Sequence, residues 1–181
     1  LAKEKGIMLM PGVGFDVVPS DCLANYLREK MPDADRLELS FTSLDGGLSH
    51  GTASTMLAEL GNKSVARKNG RLIKVDLAYR SKIVDFGKFS TSVATIPWGD
   101  ISTADTSTQI PTIDVFTKIP DLALRLLRLQ RLYNPILRTP LVRRLGQNWV
   151  DKNLYGPSEE KNKRGRSYLH GIVFNHNTQV S

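Results

Sequence analysis

Between Arg36 and Ser43 apolar and polar residues alternate without a break: Leu37, Leu39 and Phe41 fall on one face, Glu38, Ser40 and Thr42 on the other. Successive side chains of a strand point to opposite sides of its sheet, so a period of two predicts a half-buried strand, turned at Asp45-Gly46-Gly47. The pattern returns from Leu72 to Tyr79, opened by Asn69-Gly70. Further strands are predicted over Lys82 to Phe86, Lys88 to Ile96, Thr112 to Lys118 and Tyr168 to Asn175, each bounded by Gly or Pro. Strands that follow one another so closely make a mixed, largely antiparallel sheet, and the expected fold class is α+β, with helices flanking that sheet.

The first thirty residues read differently. Ile7 to Met10 is too short for a helix and stops at Pro11-Gly12, which predicts a short buried strand. Pro19, Ser20 and Asp21 supply helix-start chemistry for Leu23 to Lys30, and Met31-Pro32 ends that helix. The intervening Gly12-Val13-Gly14 turn has the context of a dinucleotide fingerprint, but Val17 stands where the third glycine belongs, which favours a structural turn over a phosphate cradle. A helix is predicted from about Thr52 to Leu60, stopped by Gly61-Asn62. Another spans Asp121 to about Leu132, with Leu122, Leu126, Leu129 and Tyr133 as its core stripe and Arg125, Arg128 and Arg131 opposite. Pro135 and Pro140 break the chain beyond that helix into shorter pieces, and residues Gly156 to Arg166 read as a loop.

Charge narrows the partners. The net charge of +7 lies wholly between Asp121 and Arg166, where eleven basic residues face four acidic ones. A nucleic-acid surface would carry aromatic residues between its cations, and Tyr133 is the one aromatic residue from Asp121 to Thr139, so nucleic acid is excluded and a membrane surface disfavoured. No run is apolar enough for a signal peptide or a membrane span, and the lone Cys22 fits a reducing compartment, so a soluble cytoplasmic chain is expected. His50, His170, His176 and Cys22 lack the spacing of a zinc site, and no metal is predicted.

Three polar groups are candidates for chemistry. Ser49-His50-Gly51-Thr52 opens a predicted helix, where free N–H groups either hold an anion or are capped by Ser49 or Thr52. Trp98-Gly99-Asp100 after Pro97, followed by a hydroxyl-rich run, reads either as the floor of a substrate pocket or as a surface turn with a packed indole. Asp16 and Asp100 are the carboxylates placed for acid-base work, beside their commoner use as turn residues.

The motifs Gly14-Phe15-Asp16-Val17-Val18-Pro19-Ser20-Asp21, Ser49 to Thr55, Asp85-Phe86-Gly87, Ile96-Pro97-Trp98-Gly99-Asp100 with Thr103-Ala104, and Ile110-Pro111 follow one another in a characteristic order. In this the chain resembles the saccharopine-dehydrogenase-like oxidoreductases, including the trans-acting enoyl reductases of lipid assembly, from about Gly6 to Val173. The resemblance implies a nucleotide-binding segment before Leu1 and a return helix beyond Ser181. Residues 1–32 would then be a remnant of the nucleotide-binding domain with its crossover helix, and residues 33–181 the mixed-sheet substrate domain. It implies that Gly14, Phe15 and Asp16 sit near the nicotinamide, while Ser49, Gly51, Thr52, Trp98 and Asp100 line or support the substrate side. NAD or NADP would serve the whole parent protein, with no cofactor expected on this part alone, which would be inactive by itself. The substrate would be a small molecule or an acyl group. A homodimer through a sheet face or edge stays open, and so does the rival reading, a non-catalytic module that binds an acyl carrier or a lipid surface.

Overall fold

A computed structural model of the chain describes residues 2–9, 14–15, 17–46, 49–176 and 178–181. The alternating run forms the central strand, β1 (Arg36–Leu44). On one side β1 pairs in parallel with a strand at Thr112–Lys118, in register from Arg36 opposite Thr112 to Phe41 opposite Thr117. On the other it pairs antiparallel with a strand at Arg166–Phe174.

The remaining strands come as hairpins. β2 (Ser64–Lys68) and β3 (Arg71–Val75) are joined by Asn69-Gly70, both at positive φ, the two-residue turn whose twist suits a hairpin. β4 (Ser81–Asp85) pairs with β5 (Ser90–Thr95). β6, the strand at Thr112–Lys118, divides its free edge between them: Ile113 faces Arg67 of β2, and Phe116 to Lys118 face Thr95 to Val93 of β5. Beyond β7, the strand at Arg166–Phe174, a short β8 (Gln179–Val180) completes, among the described residues, an eight-stranded open sheet, mixed and mostly antiparallel.

One face of the sheet carries the main core. Leu37 and Leu39 of β1, Ile113 and Val115 of β6 and Val173 of β7 are buried beneath α1 (Val18–Lys30), through Ala24 and Leu27, and α3 (Asp100–Thr108), through Ile101 and Ala104. Gly171 lets α1 come close: a Cβ there would lie 2.6 Å from Leu27 Cδ1. Each large apolar side chain fully buried here contributes about 1.5–3 kcal/mol.

The other face departs from the expectation of a half-buried strand. Glu38, Ser40 and Thr42 are as buried as the leucines, because the Tyr79–Lys82 run crosses Glu38 and Asp114, while Val84, Phe86, Val93 and Phe116 form a second small core.

Other expectations change too. Ile7 to Leu9 are exposed and carry no strand, and Met10 lies outside the described residues. A strand needs a paired strand for its backbone groups, and among the described residues Ile7 to Leu9 pair with none; the Ile7 N–H donates to the Ala2 carbonyl in a local turn instead. The strand predicted to Tyr79 ends at Val75, and Ala78 turns at positive φ. Sequence reasoning left α3 unseen because Ser, Thr and Asp are weak helix formers; the signal was Ile101, Ala104 and Thr108 at helical spacing, all buried.

After β6 come α4 (Asp121–Leu127), α5 (Gln130–Leu137) and α6 (Pro140–Asn153), with a short α7 (Glu159–Arg164) in the predicted loop. The single helix expected to Leu132 is thus two, and the expected core stripe is overturned: Leu122, Leu126 and Leu129 are exposed. Among the described residues no helix is long and apolar enough to cross a membrane.

Candidate functional site

The chain enters α1 through Gly14, which is bridged to Val17, and Asp21 N–H donates to the Val17 carbonyl at 2.8 Å to start the helix. Val17 takes φ 120°, a region that β-branched residues rarely occupy. Its side chain reaches the turn before α3: a Cβ on Gly99 would lie 2.8 Å from Val17 Cγ2, so glycine is what allows the two turns to touch. Three aromatic rings run beside this contact. Phe15 meets Phe41 edge-on at 6.2 Å, and Phe41 meets Trp98 at 4.6 Å. Phe15 stays partly exposed and Trp98 half-buried, while Asp100 is wholly buried in the first turn of α3. Ser107 Oγ donates to Asp21 Oδ1 at 2.7 Å and ties the two helices together.

Of the residues singled out in the sequence, Phe15 and Trp98 therefore meet at one notch through Phe41, with Gly14 and Asp100 next to them along the two turns. Asp16, with Gly12 and Val13, lies outside the described residues. Ser49, Gly51 and Thr52 are exposed and belong to the start of α2 (His50–Ala58), which packs on α6. There Ser49 Oγ accepts the Thr52 N–H at 3.1 Å, the capping role. His50 bonds Asp151 at 2.9 Å and Gln147 donates to Ser54, so the contacts of α2 run to α6.

The second sheet face holds groups that sequence reasoning missed. Glu38 accepts from Arg80 Nη2 at 2.8 Å and from Lys82 Nζ at 2.5 Å, and Asp114 accepts from Arg80 and from the Tyr79 hydroxyl. Burial alone would raise the Glu38 pKa, but the hydrogen bonds and charges of Lys82 and Arg80 outweigh it and hold the carboxyl below its ordinary 4.5. Burial, then Asp114, pushes the Tyr79 hydroxyl above its ordinary 10. The signal in the sequence was one acid on the polar face of each of two predicted strands, Glu38 and Asp114, and two cations at alternate positions, Arg80 and Lys82.

Further along this face Ser40 pairs in register with His170. Ser40 Oγ, Thr42 Oγ1 and His170 Nδ1 are buried and have no hydrogen-bond partner among the described residues. Phe86 leans edge-on against the His170 ring at 6.2 Å. Burial first, then the charge of Lys82, lowers the His170 pKa below 6.5, against a weaker pull from Asp85.

A half-open cavity of about 340 Å³ lies elsewhere, between the Asp76–Tyr79 turn and α4 and α5, with Leu124, Leu127 and Arg128 in its wall. Its lining includes none of the notch residues.

A nicotinamide cofactor needs an apolar wall for its ring and a phosphate-binding turn at a helix start. The notch offers the wall, in Phe15 and Trp98. Gly12 lies outside the described residues, and Val17 holds the place of the third glycine of such a turn. Phe15 and Trp98 are thus the residues that could stand against such a ring. Among the described residues no group of His, Cys, Asp and Glu gathers to hold a metal ion. No protein-family model and no curated protein matches the chain.

Proposed function

We propose that this chain is the substrate-side part of a cytoplasmic, saccharopine-dehydrogenase-like oxidoreductase, which passes a hydride between NAD(P) and a carbonyl, imine or enoyl group of a small or acyl substrate. The observation that carries this reading is the seating of Val17 against Gly99, which brings two motifs far apart in sequence into one aromatic notch. Those two motifs are also the most distinctive part of the resemblance. A bound nicotinamide would supply the hydride. The residues of the chain would orient and shield: Phe15 and Trp98 flank the ring and keep water away, and Asp100 supports the floor of the notch from its buried place in α3. Asp16 remains the acid-base candidate. The reading places the phosphate-binding turn before Leu1, so the 181 residues alone would hold NAD(P) weakly or not at all.

Energy transfer from tryptophan to reduced nicotinamide tests the arrangement in the protein encoded by the full reading frame. NADH or NADPH binding should quench a component of emission that disappears in Trp98→Phe and persists in Trp149→Phe. Cofactor binding that leaves the Trp98 component unchanged would place the ring elsewhere and end this reading.

A further inference from the structure

The helix α5 is built inside out. Its two buried residues are polar, Gln130 and Asn134, each 7% exposed, while Leu132 and Ile136 stand 76% and 62% exposed. Polar bonds hold it down: Gln130 Nε2 donates to the Leu77 carbonyl at 2.9 Å, Arg131 pairs with Asp76 at 2.9 Å, and Arg138 Nε donates to the Gly61 carbonyl at 2.7 Å. A surface helix ordinarily buries its apolar stripe. Here that stripe points away from the protein.

The neighbours repeat the arrangement. On α4 and at its exit Leu122, Leu126 and Leu129 are exposed, and on α6 Leu141, Leu145 and Trp149 are exposed at four-residue spacing. Exposed arginines, among them Arg125, Arg128 and Arg144, are interleaved with them. From Asp121 to Asn153 seven basic residues face two acidic ones, so these helices carry five of the seven net charges of the chain. An apolar surface studded with cations is not suited to a second copy of itself, since the like charges would oppose across a twofold axis. It is suited to an anionic apolar partner, and long arginine stems can cover hydrocarbon while their heads meet phosphate. The scarcity of aromatic residues before Thr139 had argued the other way; α6 and its exit add exposed Trp149 and Tyr155, both of interfacial type.

We infer that α4, α5 and α6 form a docking surface for an anionic lipid bilayer, lying on the headgroups without crossing them. This inference does not rest on the proposed redox chemistry, because docking involves neither nucleotide nor the notch around Trp98.

Vesicle co-sedimentation of the full chain is the test. Vesicles of phosphatidylcholine with phosphatidylglycerol should carry the protein down, pure phosphatidylcholine much less, and raised salt should release it. Leu132→Ser with Ile136→Ser, and separately Arg125→Glu with Arg128→Glu, should each weaken binding about tenfold or more while the urea midpoint stays near that of the parent chain. These side chains are exposed, so folding should survive their change. Failure of the parent chain to sediment with anionic vesicles would overturn the inference. So would a dimer in sedimentation velocity that the Leu132 and Ile136 pair abolishes, or capture by an acidic acyl carrier protein without vesicle binding. In the protein encoded by the full reading frame, nucleotide binding that persists when the Leu132 and Ile136 pair has abolished vesicle binding would keep the two proposals distinct.

Discussion

Val17 Cγ2 lies 2.8 Å from where a Cβ on Gly99 would stand, so the entry to α1 and the entry to α3 fit only while position 99 has no side chain. Gly99→Ala should therefore destabilise the fold by about 1–3 kcal/mol, the ordinary range for overpacking. Shortening the partner should repair it: Gly99→Ala with Val17→Ala should recover most of the loss, a coupling visible in a double-mutant cycle of urea midpoints. Additive losses would show that the two turns do not touch.

Arg80 bridges Glu38 and Asp114, two carboxylates with almost no exposure. Arg80→Ala leaves both buried with one donor fewer. The loss should fall toward the lower end of about 3–5 kcal/mol, since Arg80 is itself a third exposed and Lys82 and Tyr79 still reach the acids. Chemical denaturation at neutral pH measures it, and a change within error of zero would mean the network is idle.

The lowered Glu38 pKa makes an acid-limb prediction. Its folded value is below 4.5, so the unfolded chain binds its proton first as pH falls. The stabilisation is complete above pH 4.5 and drains away as pH drops through the folded pKa. Glu38→Gln should lower stability at neutral pH and flatten its dependence on pH below 4.5, as read from thermal midpoints across that range.

His170 should titrate below 6.5 in the folded chain, with a stability penalty that grows as pH falls from 6.5 toward that lower value. Lys82→Met should raise the His170 pKa part of the way back, because burial by the β4–β5 hairpin remains the larger cause. NMR titration of the imidazole protons checks both statements. A pKa at or above 6.5 in the parent chain would contradict them.

The sheet was legible because alternation reports a strand directly: β1, β5, β6 and β7 lie where Leu37 to Phe41, the Lys88 to Ile96 run, Thr112 to Lys118 and Tyr168 to Asn175 predicted. Burial of the polar face was not legible. The alternation shows that Glu38, Ser40 and Thr42 share a side, but the hairpin and the Tyr79–Lys82 run that cover them arrive from forty residues away. Helical periodicity failed in a related way. It found the stripe of Leu122, Leu126 and Leu129, and the rule that apolar stripes face inward then sent them the wrong way, because Gln130, Arg131 and Arg138 tie the following helix down by polar bonds. Of the predicted site, Trp98 and Phe15 come together through Phe41, a contact no local pattern records.

Calorimetric titration with NADH and NADPH bears most directly on the proposed chemistry. The protein encoded by the full reading frame should bind one of them, with a clear preference set outside the notch, while residues 1–181 alone should show at most weak binding, because the ring wall at Phe15 and Trp98 would act without a phosphate anchor. Micromolar binding by residues 1–181 alone would contradict the placement of the cofactor, and no binding by the full protein would contradict the assignment itself.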